Sequence, residues 1–300
     1  RLWPETAEFY DAPLSAYATA QAIFVVTALV VMLRQGLYRL RRGNGALTMF
    51  YSIRHITRFR YSNPVRETVM ELRMQPRSEG PQTLRSFQIS TNPRAQLYAY
   101  TDHLGNAVYH FNLLREHEEL RIEAQATVEI NQMPAWPDAL DPLEWSRYNS
   151  FNLSDDHFDM LEPSKYARTS PELLSFMKIA DLEKPAGDPL SALMTLQRGI
   201  YDSFEYEPGV TEVNSPIEVE LEQRRGVCQD YAHIMTAITR AWGIPCRYVS
   251  GYLYHKGAHD RSAANATHAW VESYLPSIGW VGFDPTNNIM PRERHIRAAV

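Results

Sequence analysis

The sequence predicts an α+β protein, with an N-terminal β-sandwich ahead of helices packed on an antiparallel sheet. Three observations carry this. Between Tyr51 and Ile130, apolar residues recur at every second position in several short runs. From residue 170 to 243 a helical period takes over, with proline-led starts. The period then returns to two in Cys246 to His255, His268 to Leu275 and Trp280 to Asp284.

Composition narrows the functional classes. A chain of 300 residues suggests about two domains. With 44% hydrophobic and 22% charged residues it can build a core. A net charge of −5 argues against nucleic acid as partner. Only two cysteines occur, Cys228 and Cys246, which make no disulfide framework and fit a reducing compartment. Cys-x-x-Cys, Gly-x-x-x-x-Gly-Lys and His-Glu-x-x-His are all absent from the sequence.

Pattern divides the chain into an extension over 1–48, a β-sandwich over 49–131, a linker over 132–165 and a C-terminal domain over 166–300. In the extension, Ala16 to Leu33 is apolar apart from Thr19, Gln21 and Thr27. Arg34, Arg39, Arg41 and Arg42 follow it. Its length lies at the short end of a membrane span. As a span, it would leave the next domain on the cytoplasmic side. The arginines follow the apolar run, unlike a cleaved signal peptide. The favoured readings are a helix packed on a neighbour, or residues foreign to the natural protein. The expected location is cytoplasmic, with membrane association only through 16–33.

The sandwich opens at Tyr51, where Tyr, Ile, Phe and Tyr alternate with arginines up to Tyr61. Met70, Leu72 and Met74, then Phe87 and Ile89, repeat the pattern. Asp102-His103-Leu104-Gly105-Asn106 reads as a hairpin turn between strands at about 95–101 and 107–114. Leu120 to Ile130 alternates without a break. His55, His103 and His110 have no ligand pattern around them and read as structural.

The linker is rich in Pro, Trp, Asp and Ser. Its Asp155, Asp156, His157 and Asp159 lack a metal-loop spacing and read as a solvated loop. Helix starts follow at Ser170-Pro171, Asp188-Pro189 and Ser215-Pro216. A fourth helix begins at Cys228. Tyr231, Ile234, Met235, Ile238 and Trp242 form its buried face, and Gly243 stops it.

A cysteine in a first helical turn meets unpaired N–H groups and the positive dipole end, which favour a thiolate. Taken alone, a free cysteine is more often a small buried residue. Nucleophilic chemistry also needs a base and a group to orient it. His268 opens one strand and Asp284 ends another, so neighbouring strands can set them side by side. Asp230 reads as a dipole partner, and His233 faces elsewhere.

Three segments then resemble the motif blocks of the transglutaminase-like superfamily, in that family's Cys, His, Asp order. They are Gly226-Val227-Cys228-Gln229-Asp230-Tyr231-Ala232-His233, Thr267-His268-Ala269-Trp270-Val271-Glu272 and Gly279-Trp280-Val281-Gly282-Phe283-Asp284-Pro285-Thr286-Asn287. Phe204-Glu205-Tyr206 and the run from Arg247 to Tyr252 are similar too. Tyr51-Ser52-Ile53-Arg54-His55 resembles the β-rich N-terminal domain of bacterial members. The resemblance spans about 49–297. It implies a papain-like catalytic core, with Cys228 as nucleophile, His268 as base and Asp284 as orienting group. Residues 1–48 have no counterpart in it. Bacterial relatives continue with further β-structure past Arg297-Ala298-Ala299-Val300, so a truncated C-terminus is expected.

The expected activity is a cysteine-dependent amide hydrolase or peptidase working through a thioester on a protein or peptide substrate. No cofactor, metal or calcium loop is expected. An amine-accepting transglutaminase is the alternative and needs a tunnel that excludes water. A non-catalytic peptide-binding module is the second alternative, and it has no use for the three residues. The Cys228 N–H is one candidate oxyanion donor, with Gln229, Tyr206 and Trp270 as candidates to supply or shape the other.

Overall fold

The computed structural model describes residues 25–34, 48–150, 157–184, 187–211, 215–255, 260–263 and 266–300. Its first half is built of strands: β1 (Val25–Arg34), β2 (Thr48–Val65), β3 (Thr68–Leu72), β4 (Gln82–Asn92), β5 (Tyr98–Thr101), β6 (Ala107–Leu113) and β7 (His117–Asn131). They form two antiparallel sheets, in the orders β1-β2-β7-β4 and β3-β6-β5. The alternation from Leu120 to Ile130 turns one face of β7 inward. Leu120 and Ile122 there share a cluster with Phe59 of β2, Leu72 of β3 and Phe111 and Leu113 of β6, which links the sheets. The turn at residues 102–106 joins β5 to β6, and Asp102 Oδ1 accepts the N–H groups of Leu104 and Asn106.

The apolar stretch at 16–33 departs from the expected packed or membrane helix. Its described part is strand β1, antiparallel to β2 from Val25 opposite Arg60 to Arg34 opposite Tyr51. Val25, Val26, Thr27, Val30 and Val31 are β-branched, and β2 offers an edge for them to pair with. The rest of that stretch lies outside the described residues. No helix among the described residues is long and apolar enough to cross a membrane. Within the stretch read as a linker, α1 (Glu144–Ser150) and a 3-10 turn (Phe158–Met160) form. His157 rests on Tyr274, with ring centroids 4.3 Å apart, while Asp155 and Asp156 lie outside the described residues.

The second half contains α2 (Pro171–Ile179), α3 (Pro189–Ser203), β8 (Glu205–Tyr206), α4 (Ile217–Gln223), β9 (Arg225–Gly226) and α5 (Cys228–Ala241). β10 (Cys246–Leu253), β11 (His268–Leu275), β12 (Gly279–Phe283) and β13 (His295–Ala299) follow. Ser170 and Asp188 cap α2 and α3 by accepting backbone N–H groups, each with proline in the first turn. The last four strands form an antiparallel sheet in the order β12-β11-β10-β13. One face packs on α5, where Ile234, Met235 and Ile238 meet Tyr248, Ala269 and Val271. The other packs on the first half, where Tyr252, Ile296 and Ala298 meet Tyr51, Ile53, Val128 and Ile130. This sheet is therefore covered on both sides, and the residues singled out above sit at its end.

Candidate active site

Cys228 is the first residue of α5 and is half-buried. Val227 precedes it with extended backbone and offers no side-chain cap. Asp230 does the capping instead: its Oδ2 accepts the Val227 N–H at 2.7 Å and the Thr211 hydroxyl at 2.7 Å. Gly226 makes this possible, because a Cβ there would stand 2.6 Å from Asp230 Oδ2. β9 in turn pairs in parallel with β8, placing Tyr206 opposite Gly226.

His268 opens β11, where it faces Gly251 of β10 across the ladder. Asp284 follows β12, which pairs with β11. The tight turn after it is closed by backbone bonds with Ile289. The His268 and Asp284 side chains meet, Nε2 to Oδ2, at 2.7 Å. Asp284 is fully buried, and its oxygens are held all round. Oδ1 accepts the N–H groups of Thr286 and Asn287 at 3.1 and 3.2 Å. Oδ2 also accepts Asn287 Nδ2 at 2.8 Å and His295 Nε2 at 3.0 Å. No short hydrogen bond reaches His268 Nδ1. Cys228 acts on the ring as a charge and a side-chain hydrogen-bonding neighbour. Catalytic pairs often show such geometry before substrate tightens them.

The charges follow from this packing. Burial would raise the Asp284 pKa, but His268 and then His295 hold it far below the carboxylate range. Burial would lower the His268 pKa, but the charge and hydrogen bond of Asp284, with help from Cys228, raise it to about 10. At neutral pH His268 is therefore an imidazolium between a carboxylate and a sulfur. His295 is pushed down, chiefly by burial, and is neutral. With Nε2 donating to Asp284, its proton sits on that nitrogen.

Ligand atoms of His268, Asp284 and His295 lie within 4.8 Å of one another, which is close enough to consider a metal. Both rings, however, spend Nε2 on the same carboxylate oxygen. A metal ion would need those lone pairs turned toward a common point about 2 Å away.

The other sequence candidates divide. Tyr206 is half-buried, and its hydroxyl accepts the Ala263 N–H at 3.2 Å. Burial, then the neighbouring Cys228, pushes its pKa up to about 12, so it stays a protonated donor beside the sulfur. Gln229 follows Cys228 on α5 and is also half-buried. Trp270 packs against the two histidines. It is 1% exposed, stacks on His268 with centroids 6.1 Å apart and meets His295 edge-on at 5.2 Å. Period-two geometry puts it on the same side of β11 as His268, where it packs on the imidazole.

His233 faces elsewhere, as expected, stacked between Tyr166 and Tyr248. Asp230 is more than a dipole partner: it is 2% exposed and hydrogen-bonds the carboxyl group of Glu220, itself 1% exposed. Sequence reasoning missed His295 and Asn287 as partners of Asp284. Asn287 carried a signal, three residues past an Asp in a Pro-Thr-Asn turn. His295 carried none.

Comparison with known proteins places the chain in a family. Residues 178–285 match the model of the transglutaminase-like superfamily, and residues 51–129 match the bacterial transglutaminase-like N-terminal region. The uncharacterized protein ML0607 of Mycobacterium leprae is 31% identical over 249 residues, covering 82% of this chain and 86% of that one. A protein-glutamine gamma-glutamyltransferase of Pseudomonas aeruginosa is 35% identical over 105 residues, covering 32% of this chain and 15% of that one. Among solved structures, a candidate cysteine protease from Cytophaga hutchinsonii superposes with a TM-score of 0.65 at 18% identity. It covers 92% of this chain and 83% of that one, a likeness of fold.

Proposed function

Because the chain belongs to the transglutaminase-like superfamily, we propose that it is a cysteine-dependent amide hydrolase acting on a protein or peptide substrate. The observation that carries this is the His268 ring, hydrogen-bonded at 2.7 Å to a buried Asp284 and electrostatically coupled to a cysteine at a helix start. Cys228 works as a thiolate paired with His268. Its sulfur attacks the amide carbonyl, and charge collects on the carbonyl oxygen. The Cys228 N–H and the Tyr206 hydroxyl stabilise that charge. Tyr206 already accepts a bond from Ala263, so its own proton is what it offers.

As the C–N bond breaks, His268 gives its proton to the leaving amine and a thioester remains. Water then attacks the thioester carbon while His268 takes its proton, releasing the acid and restoring the thiolate. Asp284 keeps the Nε2 proton in place throughout, so that Nδ1 is the nitrogen that exchanges protons. In the same reading the two N-terminal sheets form a β-sandwich, and no metal or cofactor takes part.

Transfer to an amine, in place of water, is the second reading. It is favoured by the glutamyltransferase among the relatives. Incubation with a glutamine-containing peptide, with and without excess primary amine, separates the readings. Peptide cleavage or ammonia release without amine incorporation is the expected result. Amine incorporation at the expense of hydrolysis replaces the first reading with the second. A Cys228 that no thiol-directed probe labels at neutral pH removes both and leaves a binding module.

A further inference from the structure

β13 lies outside both matched regions, 51–129 and 178–285, yet it carries His295 to Asp284. As an edge strand, it is held by the sheet from one side only, through β10. That pairing is irregular, with a register shift between Ser250 and Gly251. Gly251 lets β13 come close, since a Cβ there would stand 2.1 Å from the Ile296 carbonyl oxygen.

The edge partner is supplied by the first half of the chain: the Arg77 N–H donates to the Arg297 carbonyl at 3.0 Å, and Gln82 Nε2 holds the Arg77 carbonyl at 2.7 Å. Gln82, at the start of β4, uses its amide as a strand would use its backbone. Nε2 donates to the Arg297 carbonyl at 2.8 Å, and Oε1 accepts the Arg297 N–H at 2.9 Å. Asn106 repeats the device on Val300, donating at 2.8 Å and accepting at 2.9 Å. Both amides are buried, at 6% and 1% exposure. Two-way amide pairing fixes both the height and the tilt of a backbone, which a single bond does not.

We infer that Gln82 is a positioning residue for the active site: it sets β13 so that His295 holds Asp284 in line with His268. The N-terminal sheets are thereby part of the catalytic machinery as well as its neighbours. This rests on the reading of Cys228, His268 and Asp284 given above. A misplaced Asp284 lets the imidazole tilt, and small misplacements near a reacting pair are costly in rate.

The test is a double-mutant cycle on the full chain, read as the rate of Cys228 alkylation by iodoacetamide at pH 7. Mass spectrometry separates this thiol from the buried Cys246. His295→Leu removes the donor and is expected to slow alkylation about 10-fold, whereas His295→Gln keeps a donor and stays within about 3-fold. Gln82→Ala alone slows it by about 3-fold, and has no further effect on top of His295→Leu. The same loss from Gln82→Ala in both backgrounds, or no loss in either, overturns the inference. Should His295→Leu fail to fold, the proton resonance of the His268 Nε2–H in Gln82→Ala decides the matter. A shifted resonance supports the inference and an unchanged one overturns it. A wild-type Cys228 that does not alkylate overturns the underlying reading and this inference with it. Normal wild-type alkylation with additive variants overturns only the latter.

Discussion

Glu220 and Asp230 bury two carboxyl groups against each other beneath the start of the Cys228 helix. Asp230 uses Oδ2 to cap that helix, so its charge is employed. Burial, then the charge of Asp230, pushes Glu220 up to about 8. Burial raises Asp230 as well, so the pair holds a proton at neutral pH, and Glu220 is the partner pushed further up. The folded protein binds this proton more tightly than the unfolded chain. Its contribution to stability is thus complete below the ordinary glutamate value of about 4.5 and is lost as pH rises toward 8. We expect calorimetry to show the melting temperature falling over that window. Glu220→Gln mimics the protonated acid and should flatten that fall; an unchanged slope in the variant would refute the assignment.

Glu272 gives the opposite sign. It is 2% exposed and lies between Arg247 and Arg297, with Arg247 Nη2 at 2.7 Å and Arg297 Nε at 2.9 Å. Burial opposes its charge, but Arg297 and Arg247 outweigh burial and lower its pKa. Its contribution is present above the ordinary glutamate range and lost as pH falls through the folded-state value. Glu272→Ala takes away the buried carboxylate between the two guanidinium groups and leaves them only the more exposed Glu79, with Arg247 at 3.8 Å and Arg297 at 3.3 Å from it. Urea denaturation at pH 7 should show a loss of about 3–5 kcal/mol.

Asp284→Asn tests the cage around the carboxylate. An amide cannot accept from His268 and His295 with the same charge, and it removes the main influence raising His268. The imidazole then loses its proton well below pH 10 and loses its fixed tautomer. The expected result is a fall in kcat of about 10³–10⁴ with the alkaline limb of the pH profile displaced downward. A steady-state pH series measures both. A large rate loss with an unmoved limb would mean that Asp284 does not set the His268 pKa.

Much of this site was legible because its signals are local. A helix start before Cys228, a strand opening at His268 and a strand closing at Asp284 are each set by neighbours in sequence. The pairing of β11 with β12 then brings the last two together. His295 was illegible because its role depends on a β13 held from 215 residues away by Gln82. No periodicity records such a tie. The stacking of Trp270 on the His268 ring is equally absent from any sequence pattern. At 25–34 the β-branched residues pair as a strand with β2, which apolarity alone does not distinguish from a helix.

Gly226→Ala probes the junction between β9 and the helix. The added methyl meets Asp230 Oδ2 at 2.6 Å, and that oxygen is pinned by Val227 and Thr211. The carboxylate must withdraw from its cap, which costs about 1–2 kcal/mol. Thermal melting should report this loss. Alkylation of Cys228 should slow alongside it, because the N–H groups of the first turn lose their fixed direction. Val227→Ala, which leaves the cap bond to the backbone intact, serves as the control that changes neither.

Tyr206→Phe isolates the proposed oxyanion donor. The ring stays in place on β8, where pairing with β9 fixes it opposite Gly226. Only the hydroxyl is lost, and with it the bond from Ala263. If the hydroxyl serves the developing negative charge, its removal weakens the transition state and leaves substrate binding alone. The expected signature is a fall in kcat of about 10², with KM unchanged and iodoacetamide reactivity of Cys228 preserved, since alkylation builds no oxyanion. A rise in KM at constant kcat would make Tyr206 a substrate-binding group. Equal loss in alkylation would instead mean that it supports the thiolate itself, as its place beside Cys228 also allows.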